Sequence, residues 1–388
     1  MKKHIVVLGG GFGGAETVFR FKNLGYKVTL ISNREYVFIY PISIWIPVNK
    51  LKFKDAQISL KELQKANDFD LIIDEVTAIK SKTNKVILTN GEVEYDYLVV
   101  ALGSGKVKLK GLEHSFSICG QPEQAILMRD RFNELLKQGY GKIAFGFGGN
   151  PKDKSSVRGG PAFELIFNFI HTLKQKKLYD KFEITFFAPM KEPGKKLGIK
   201  GFEMLQKQFK KENVQIRIGK KIIEFQSDKV IFEDNTILES DLIMYIPAGA
   251  GHPVMQNSDL PLSDAGFIKI DYNSKVDGLD NVYAVGDIVA LQGPEWAAKQ
   301  GHIAEVMANN AVQNIHNVIT GNPERHSYKA HLSIICVMDT GDGAIYTSRT
   351  DQKIKFLPMP VVGHWMKKAW GTYWKKSKLR QIPRVPGM

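Results

Sequence analysis

The 388-residue sequence predicts an α/β fold with two similar three-layer domains, the second inserted in the first, and a C-terminal region. Strand-like runs alternate with helices and hairpins along most of the chain. A glycine-rich turn follows the first strand, and a much later strand ends in Gly286-Asp287 before a helix. The length suits two or three domains. We expect the first domain at 1–115 and 243–325, the second at 116–242, and the C-terminal region at 326–388.

The first element is the strand His4–Leu8, which runs directly into a glycine-rich turn. Gly9, Gly11 and Gly14 have the G-x-G-x-x-G spacing, and a helix-like run begins at Ala15. In this motif the first glycine allows a tight turn, the second lets the backbone approach a pyrophosphate, and the third packs helix against strand. The helix N-terminus attracts the negative charge. The opening strand therefore predicts a Rossmann-like dinucleotide-binding domain and not a signal peptide.

The next elements extend this domain. Lys27–Ile31 is predicted as the second strand, and Ser32 and Asn33 follow it where an acidic residue usually contacts a ribose. Both side chains can hydrogen-bond a hydroxyl group. The run Phe69–Ile79 is predicted to belong to a small sheet with the strand after it, and a later buried strand ends in a loop at Gly103.

The second domain contains a weaker glycine loop. The strand Lys142–Phe147 is followed by Gly148-Gly149-Asn150-Pro151, so proline replaces the third glycine. A polar loop then separates the strand from a helix that begins near Pro161. The proline and the long loop disturb both the close packing of helix against strand and the pyrophosphate site. The loop therefore argues against a nicotinamide dinucleotide, although a divergent nicotinamide loop is the alternative.

The formal net charge of +14 is concentrated in the tail. Residues 363–388 contain no acidic side chain and carry basic and aromatic ones: His364, Trp365, Lys367, Lys368, Trp370, Tyr373, Trp374, Lys375, Lys376, Lys378, Arg380 and Arg384. Such a mixture suits a bilayer interface, and a basic helix capping a domain is the alternative. No run of about 18 apolar residues occurs. We expect a peripheral, monotopic protein on either face of the cell membrane, and no nucleic-acid partner because no such motif accompanies the charge.

The two cysteines, Cys119 and Cys336, exclude a disulfide framework and a zinc site, and no metal site is expected. Each thiol is a candidate for chemistry or for a small buried hydrophobic residue.

Three motifs together carry a resemblance. Gly9-x-Gly11-x-x-Gly14, Ala101-Leu102-Gly103 and Tyr283-Ala284-Val285-Gly286-Asp287 resemble the two-dinucleotide-domain flavoproteins of the disulfide-reductase superfamily over nearly the whole chain. Further segments, and the tail, are most similar to the sulfide:quinone oxidoreductases: 29–34, 117–119, 160–164 and 335–339. Type II NADH dehydrogenases and the flavoprotein subunit of flavocytochrome c sulfide dehydrogenase are related branches.

The resemblance implies transfer of two electrons from sulfide, or a related reduced sulfur donor, through FAD to membrane quinone. A type II NADH:quinone dehydrogenase and a flavin electron-transfer subunit with a protein partner such as a cytochrome are the alternatives. The oligomeric state stays open, a homo-oligomer included. The residues implied to bind FAD are Gly9, Gly11, Phe12, Gly13, Gly14, Ser32, Asn33, Arg34, Pro41, Val76, Ala101, Gly103, Gly286, Asp287, Lys299 and Gly301.

The cysteines depart from the family pattern. Cys336 matches the family's late cysteine, and Cys119 matches an early one that in some members bonds to the flavin. Arg158 stands where the family usually carries the partner of the late cysteine. Cys119 and Cys336 therefore form an alternative redox pair, or Cys336 acts alone with Arg158 stabilising its thiolate or an anionic polysulfide, or the protein oxidises another donor. A buried structural role for Cys119 is a further alternative.

The resemblance also implies roles for four other residues. Glu164 matches a proton-carrying carboxylate, although a helix N-terminus is an ordinary place for glutamate. Lys299 matches a lysine near the flavin pyrimidine, with a solvated lysine at a helix start as the alternative. Ile335 and Trp370 are expected to stack the quinone ring, but tail aromatics also serve as lipid anchors or core.

Overall fold

The computed structural model describes residues 3–384. This part of the chain contains eight α-helices: α1 Phe12–Phe21, α2 Tyr40–Ser43, α3 Leu60–Asn67, α4 Gln124–Gln138, α5 Gly160–Gln175, α6 Ile199–Lys211, α7 Gly301–Thr320 and α8 Val362–Lys378. Its strands are β1 His4–Leu8, β2 Lys27–Ser32, β3 Tyr36–Phe38, β4 Gln57–Ser59, β5 Asp70–Ile73, β6 Val76–Lys80, β7 Lys85–Leu88, β8 Gly91–Glu94, β9 Tyr97–Val100, β10 Gly105–Lys106, β11 Gly141–Phe147, β12 Phe182–Ala188, β13 Gln215–Ile218, β14 Ile222–Gln226, β15 Lys229–Phe232, β16 Ile237–Glu239, β17 Leu242–Ile246, β18 Gly249–Ala250, β19 Val282–Ala284, β20 Ile334–Asp339, β21 Gly343–Arg349 and β22 Ile354–Pro360.

The first domain is built on a parallel sheet with the strand order β19-β9-β1-β2-β5. Its central strands are almost wholly buried, as expected when helices and other layers cover both faces of a parallel sheet. Helix α1 packs on the central strands and against α7. The predicted small sheet exists as β6-β7-β8, but the run Phe69–Ile79 is divided, because β5 pairs with β2 in the parallel sheet.

The second domain repeats the arrangement with the parallel order β13-β12-β11-β17 and the antiparallel sheet β14-β15-β16. Helix α5 packs on β11 and β17. The boundary predicted at residue 243 cuts β17, and this is wrong, because the hydrogen bonds of β17 to β11 place the whole strand in the second sheet. The other domain boundaries remain predictions.

The C-terminal region consists of the antiparallel sheet β20-β21-β22 and helix α8. Strand β20 lies against α5, and α8 packs on this sheet and against α1 and α2. Within residues 3–384, no helix combines the length and the apolar character needed to cross a bilayer. The predicted fold class, two Rossmann-like domains with the second inserted in the first and a C-terminal region, is confirmed.

Candidate functional site

A cavity of about 2410 Å³ extends from the turn after β1 to β20 and α8. Every residue predicted for the site lines this cavity, with the exception of Gly14. The residues come from both Rossmann-like domains and the C-terminal region, so the fold brings together segments far apart in sequence. Their individual roles remain predictions.

The turn after β1 has the geometry of a dinucleotide site. Gly9 has a φ of +101°, and a Cβ there would lie 2.5 Å from the carbonyl oxygen of Ala101. A Cβ on Gly14 would overlap the carbonyl oxygen of Gly9, which explains why this glycine packs behind the turn and not in the cavity. A Cβ on Gly11 would meet no atom within 4 Å, so the backbone there is open to a ligand.

The N-terminus of α1 is free to bind an anion. Its first turn contains no acidic residue, and no side chain caps it. The backbone N–H groups at the start of a helix need partners, and a pyrophosphate supplies oxygen acceptors and negative charge. The residues present therefore fit the pyrophosphate of FAD.

Ser32 and Asn33, the two predicted ribose contacts in the turn after β2, have different surroundings. The Ser32 hydroxyl donates to the carbonyl of Arg34 at 2.9 Å and accepts from its N–H at 3.2 Å. Ser32 thus shapes the turn, while Asn33 is exposed at the edge of the cavity.

Cys336 lies beside a buried ion pair between Glu164 of α5 and Lys367 of α8. Glu164 Oε1 also accepts the backbone N–H of Asp339 at 2.8 Å, and Lys367 Nζ donates to the carbonyl of Val337 at 3.2 Å. Burial and the negative charge of Glu164 raise the pKa of Cys336 to about 12, against the opposing charge of Lys367. The thiol is therefore protonated at neutral pH.

Arg158 does not face the Cys336 thiol, whose thiolate it was expected to stabilise. Its guanidinium forms an ion pair with Asp287, the acidic residue that follows β19. The cation that faces the Cys336 thiol is Lys367, so stabilisation of that thiolate by Arg158 receives no support from the geometry. Both cysteines are free thiols, and Cys119 is buried.

Lys106 is a cation of the site that the sequence did not reveal. It lines the cavity, and burial together with the charge of Arg158 lowers its pKa to about 8. Among the described residues, we find no hydrogen-bond or ion-pair partner for its ammonium group. It follows the loop Gly103-Ser104-Gly105, and nothing in the local sequence marks the lysine itself as part of the site.

Lys299 is buried, so it is not a solvated lysine at a helix start. Its ammonium contacts Asp153 Oδ2 at 2.8 Å, and its backbone N–H donates to the carbonyl of Ser155. Burial lowers the pKa of Lys299 to about 7, although the charge of Asp153 works in the opposite direction. The polar loop after β11 thus contributes a carboxylate that holds this lysine.

A hydrogen-bonded carboxylate joins β20 to three other segments. Asp339 is fully buried; its Oδ1 accepts from Asn168 at 2.9 Å and from Trp45 at 3.2 Å, and its Oδ2 lies 2.6 Å from His364 Nδ1. This network could not be predicted from the sequence because its members are widely separated along the chain. An aspartate at the end of an otherwise apolar run, 334–339, was the only sign in the sequence.

The tail is divided between the protein interior and its surface. Trp370 is half-buried and lines the cavity with Ile335, whereas Trp374, Lys367 and Lys378 are buried in the protein. These three side chains cap the domains and are not available to lipid, so the alternative of a capping helix holds for one face of α8.

The comparisons with known proteins agree with this geometry. The sulfide-quinone reductase of Aquifex aeolicus (strain VF5) is 28% identical over 369 residues, which are 89% of this chain and 83% of that protein. The structure of the sulfide:quinone oxidoreductase from Aquifex aeolicus matches with a TM-score of 0.87 at 24% identity, covering 97% of this chain and 92% of that one. The structure of NDH2 from Plasmodium falciparum in complex with NADH matches with a TM-score of 0.78 at 14% identity, covering 100% of both chains.

A family model described as pyridine nucleotide-disulphide oxidoreductase matches residues 3–313. The predicted resemblance and the predicted cofactor are thereby confirmed. The chain belongs to the pyridine nucleotide-disulphide oxidoreductase family and is an FAD-dependent oxidoreductase that resembles the sulfide:quinone oxidoreductases.

Proposed function

We propose that the protein transfers two electrons from a reduced sulfur donor, such as sulfide, to a membrane quinone. One observation carries the proposal: a single cavity joins the dinucleotide turn to the Cys336 thiol and to Trp370 on α8. The likeness to a sulfide-quinone reductase over most of both chains supports it.

FAD, when bound, supplies the two-electron carrier between the two substrates. We propose that its pyrophosphate is held at Gly11, Phe12 and Gly13. The remaining cofactor residues would hold the rest of the molecule: Gly9, Ser32, Asn33, Arg34, Pro41, Val76, Ala101, Gly103, Gly286, Asp287, Lys299 and Gly301.

Joining hydrosulfide to the Cys336 sulfur releases two electrons and two protons; FAD, when bound, would accept the electrons, and the thiol must lose its proton in the same step. Glu164 is the carboxylate that faces it, and burial raises the pKa of Glu164 above its ordinary value. We therefore assign the proton to Glu164, with Lys367 stabilising the ionised carboxylate before the transfer. Hydrosulfide is an anion, and Lys106, for which we find no ion-pair partner among the described residues, gives the same cavity positive charge.

An NADH:quinone oxidoreductase is the second candidate, because a protein solved with NADH shares the fold. The geometry of the second glycine loop argues against it. In the first domain, β1 ends at Leu8 and α1 begins at Phe12, whereas β11 ends at Phe147 and α5 begins only at Gly160. The Asn150 side chain bonds the carbonyl of Gly249 at 2.9 Å within the intervening loop. A helix N-terminus directly after the strand, as a pyrophosphate requires, is lacking at that loop.

Anaerobic mixing of the FAD-loaded protein with sulfide, and separately with NADH, tests the choice. We expect sulfide to bleach the visible flavin absorbance. NADH should leave this absorbance unchanged. Bleaching by NADH alone would contradict the proposal.

Alanine at Cys336 is expected to slow sulfide-driven flavin reduction by roughly 1000-fold, as loss of an essential nucleophile does. The same substitution at Cys119 separates the two cysteine hypotheses. If Cys119→Ala slows flavin reduction as much as Cys336→Ala does, the two cysteines act as a redox pair. If it slows flavin reduction less, Cys336 acts alone. Unchanged reduction in Cys336→Ala would rule out both.

We also propose that α8 docks on lipid through its exposed face. Val361, Val362, Trp365 and Met366 are exposed and adjacent, and Trp365 is 61% exposed. Lys368 lies over the Trp365 ring at 5.2 Å, which places a cation beside the aromatic surface.

Glutamate at Trp365 and Met366 together is expected to weaken binding to vesicles of anionic lipid by about tenfold or more, because it removes buried apolar area and adds repulsion. Co-sedimentation measures the change. Leu127→Glu, at an exposed residue of α4, is the matched control and should bind as the native protein does. Equal binding by both variants would contradict the assignment of this face.

A further inference from the structure

The buried end of α8 lies against the cofactor site. Trp374 is 1% exposed, and its ring stacks on Phe12 with the centroids 4.4 Å apart. Its indole N–H donates to Glu305 Oε1 of α7 at 2.8 Å. Phe12 is the first residue of α1, and a Cβ on Gly301, the first residue of α7, would lie 3.3 Å from its ring. Trp374 thus contacts α1 through Phe12 and α7 through Glu305, two helices that begin at the cavity.

A buried cluster of charges follows one turn later. Lys378 is fully buried and forms ion pairs with Glu16 of α1 and, at 2.6 Å, with Glu305 of α7. Arg384 lies 3.4 Å from Glu16 and 3.2 Å from Glu305. Burial works to raise the pKa of Glu16, but the charges of Lys378, Arg384 and Arg20 hold it below its ordinary value. Both carboxylates line the cofactor cavity, so their charges are compensated from the tail.

The same segment is fastened to the outer side of α1 and to α3. Arg380 donates to the carbonyl of Phe19 at 2.6 Å and to Asn67 Oδ1 at 2.8 Å. Asn67 in turn donates to the carbonyl of Lys378 at 2.9 Å. These bonds fix the tail to the FAD-binding domain and not to the C-terminal sheet.

We propose that residues 374–384 form a clamp that retains FAD, so that docking of the tail and binding of the cofactor favour each other. The clamp fixes the relative position of α1 and α7, whose N-termini border the cofactor cavity. Two buried carboxylates that lose their cations repel each other and destabilise the same helix pair. By linkage, a cofactor that stabilises α1 and α7 also stabilises the docked tail.

The first test is the rate at which FAD leaves the holoprotein. Lys378→Met removes the charge and keeps the length of the side chain, and we expect FAD to dissociate about tenfold faster. Lys376→Met is the matched control, since Lys376 is exposed two residues away, and it should release FAD at the native rate. Lys378→Arg keeps the charge and is expected to restore most of the retention. The rise of free-flavin fluorescence after dilution measures all three rates.

The second test uses the native chain and does not depend on how well a variant folds. Backbone hydrogen exchange across residues 374–384 is compared between the FAD-loaded and the FAD-free protein. We expect faster exchange in this segment when FAD is absent. Identical exchange in the two forms, or a folded Lys378→Met variant that keeps FAD as the native protein does, would overturn the clamp. Neither readout uses sulfide or quinone, so failure of the proposed reaction leaves both tests intact.

Discussion

Gly14→Ala is expected to abolish FAD binding and to lower the free energy of unfolding of the FAD-free protein. The added Cβ would overlap the Gly9 carbonyl oxygen, which belongs to the turn between β1 and α1. Backbone atoms cannot move aside as a flexible side chain can, so α1 must separate from the sheet. We expect a loss of about 3 kcal/mol, at the upper end of the cost of overpacking. Urea unfolding of the FAD-free protein and titration with FAD measure the two effects.

Gly11→Ala is the matched control within the same motif. Its Cβ would meet no atom within 4 Å, and its φ of −91° is open to alanine. The FAD-free protein should therefore unfold within about 1 kcal/mol of the native one. FAD binding should still weaken, because the methyl group occupies the space where the backbone approaches the pyrophosphate. If Gly14→Ala leaves stability unchanged, the packing role assigned to Gly14 is wrong.

The second large effect is expected at Glu164, where substitution by glutamine should separate thiol reactivity from turnover. The negative charge of Glu164 raises the pKa of Cys336, so its removal lowers that pKa while Lys367 remains. A fall of one pKa unit gives about tenfold more thiolate at a fixed pH below the pKa. Alkylation of Cys336 by iodoacetamide, followed by peptide mapping at mildly alkaline pH, should accelerate accordingly.

Sulfide oxidation should change in the opposite direction. If Glu164 accepts the thiol proton, Glu164→Gln loses a general base, and the turnover rate falls by about 100-fold. Glu192→Gln is the control, because Glu192 lines the same cavity but is not among the charges that face the thiol. A variant in which alkylation and turnover both rise would show that Glu164 only restrains the thiol.

The sequence was sufficient for the fold because its decisive features are local. A strand that runs directly into the glycines of Gly9–Gly14 specifies both a turn and a helix start, and buried parallel strands form continuous apolar runs. The division of Phe69–Ile79 between two sheets was not predictable, because the sequence of an apolar run does not show which strand it will pair with.

The sequence predicted which residues line the site, but not which side chains form ion pairs with one another. Arg158 was identified by position, yet its partner Asp287 lies in another domain and depends on how the domains pack. The same holds for Lys367 with Glu164, and for Lys378 with Glu16. Along α8 the basic residues look alike in sequence, and only tertiary packing separates the buried ones from the exposed Lys368 and Lys376.

Glu16 and Lys378 are paired across 362 positions, so one partner is synthesised long before the other. The nucleotide-binding turn is synthesised first, but Lys378, a partner of its helix, is added only 362 positions after Glu16. Contacts of such long sequence separation form late. The first domain is therefore expected to complete its packing only after residues 374–384 have been synthesised, and chains truncated before residue 374 should yield colourless protein.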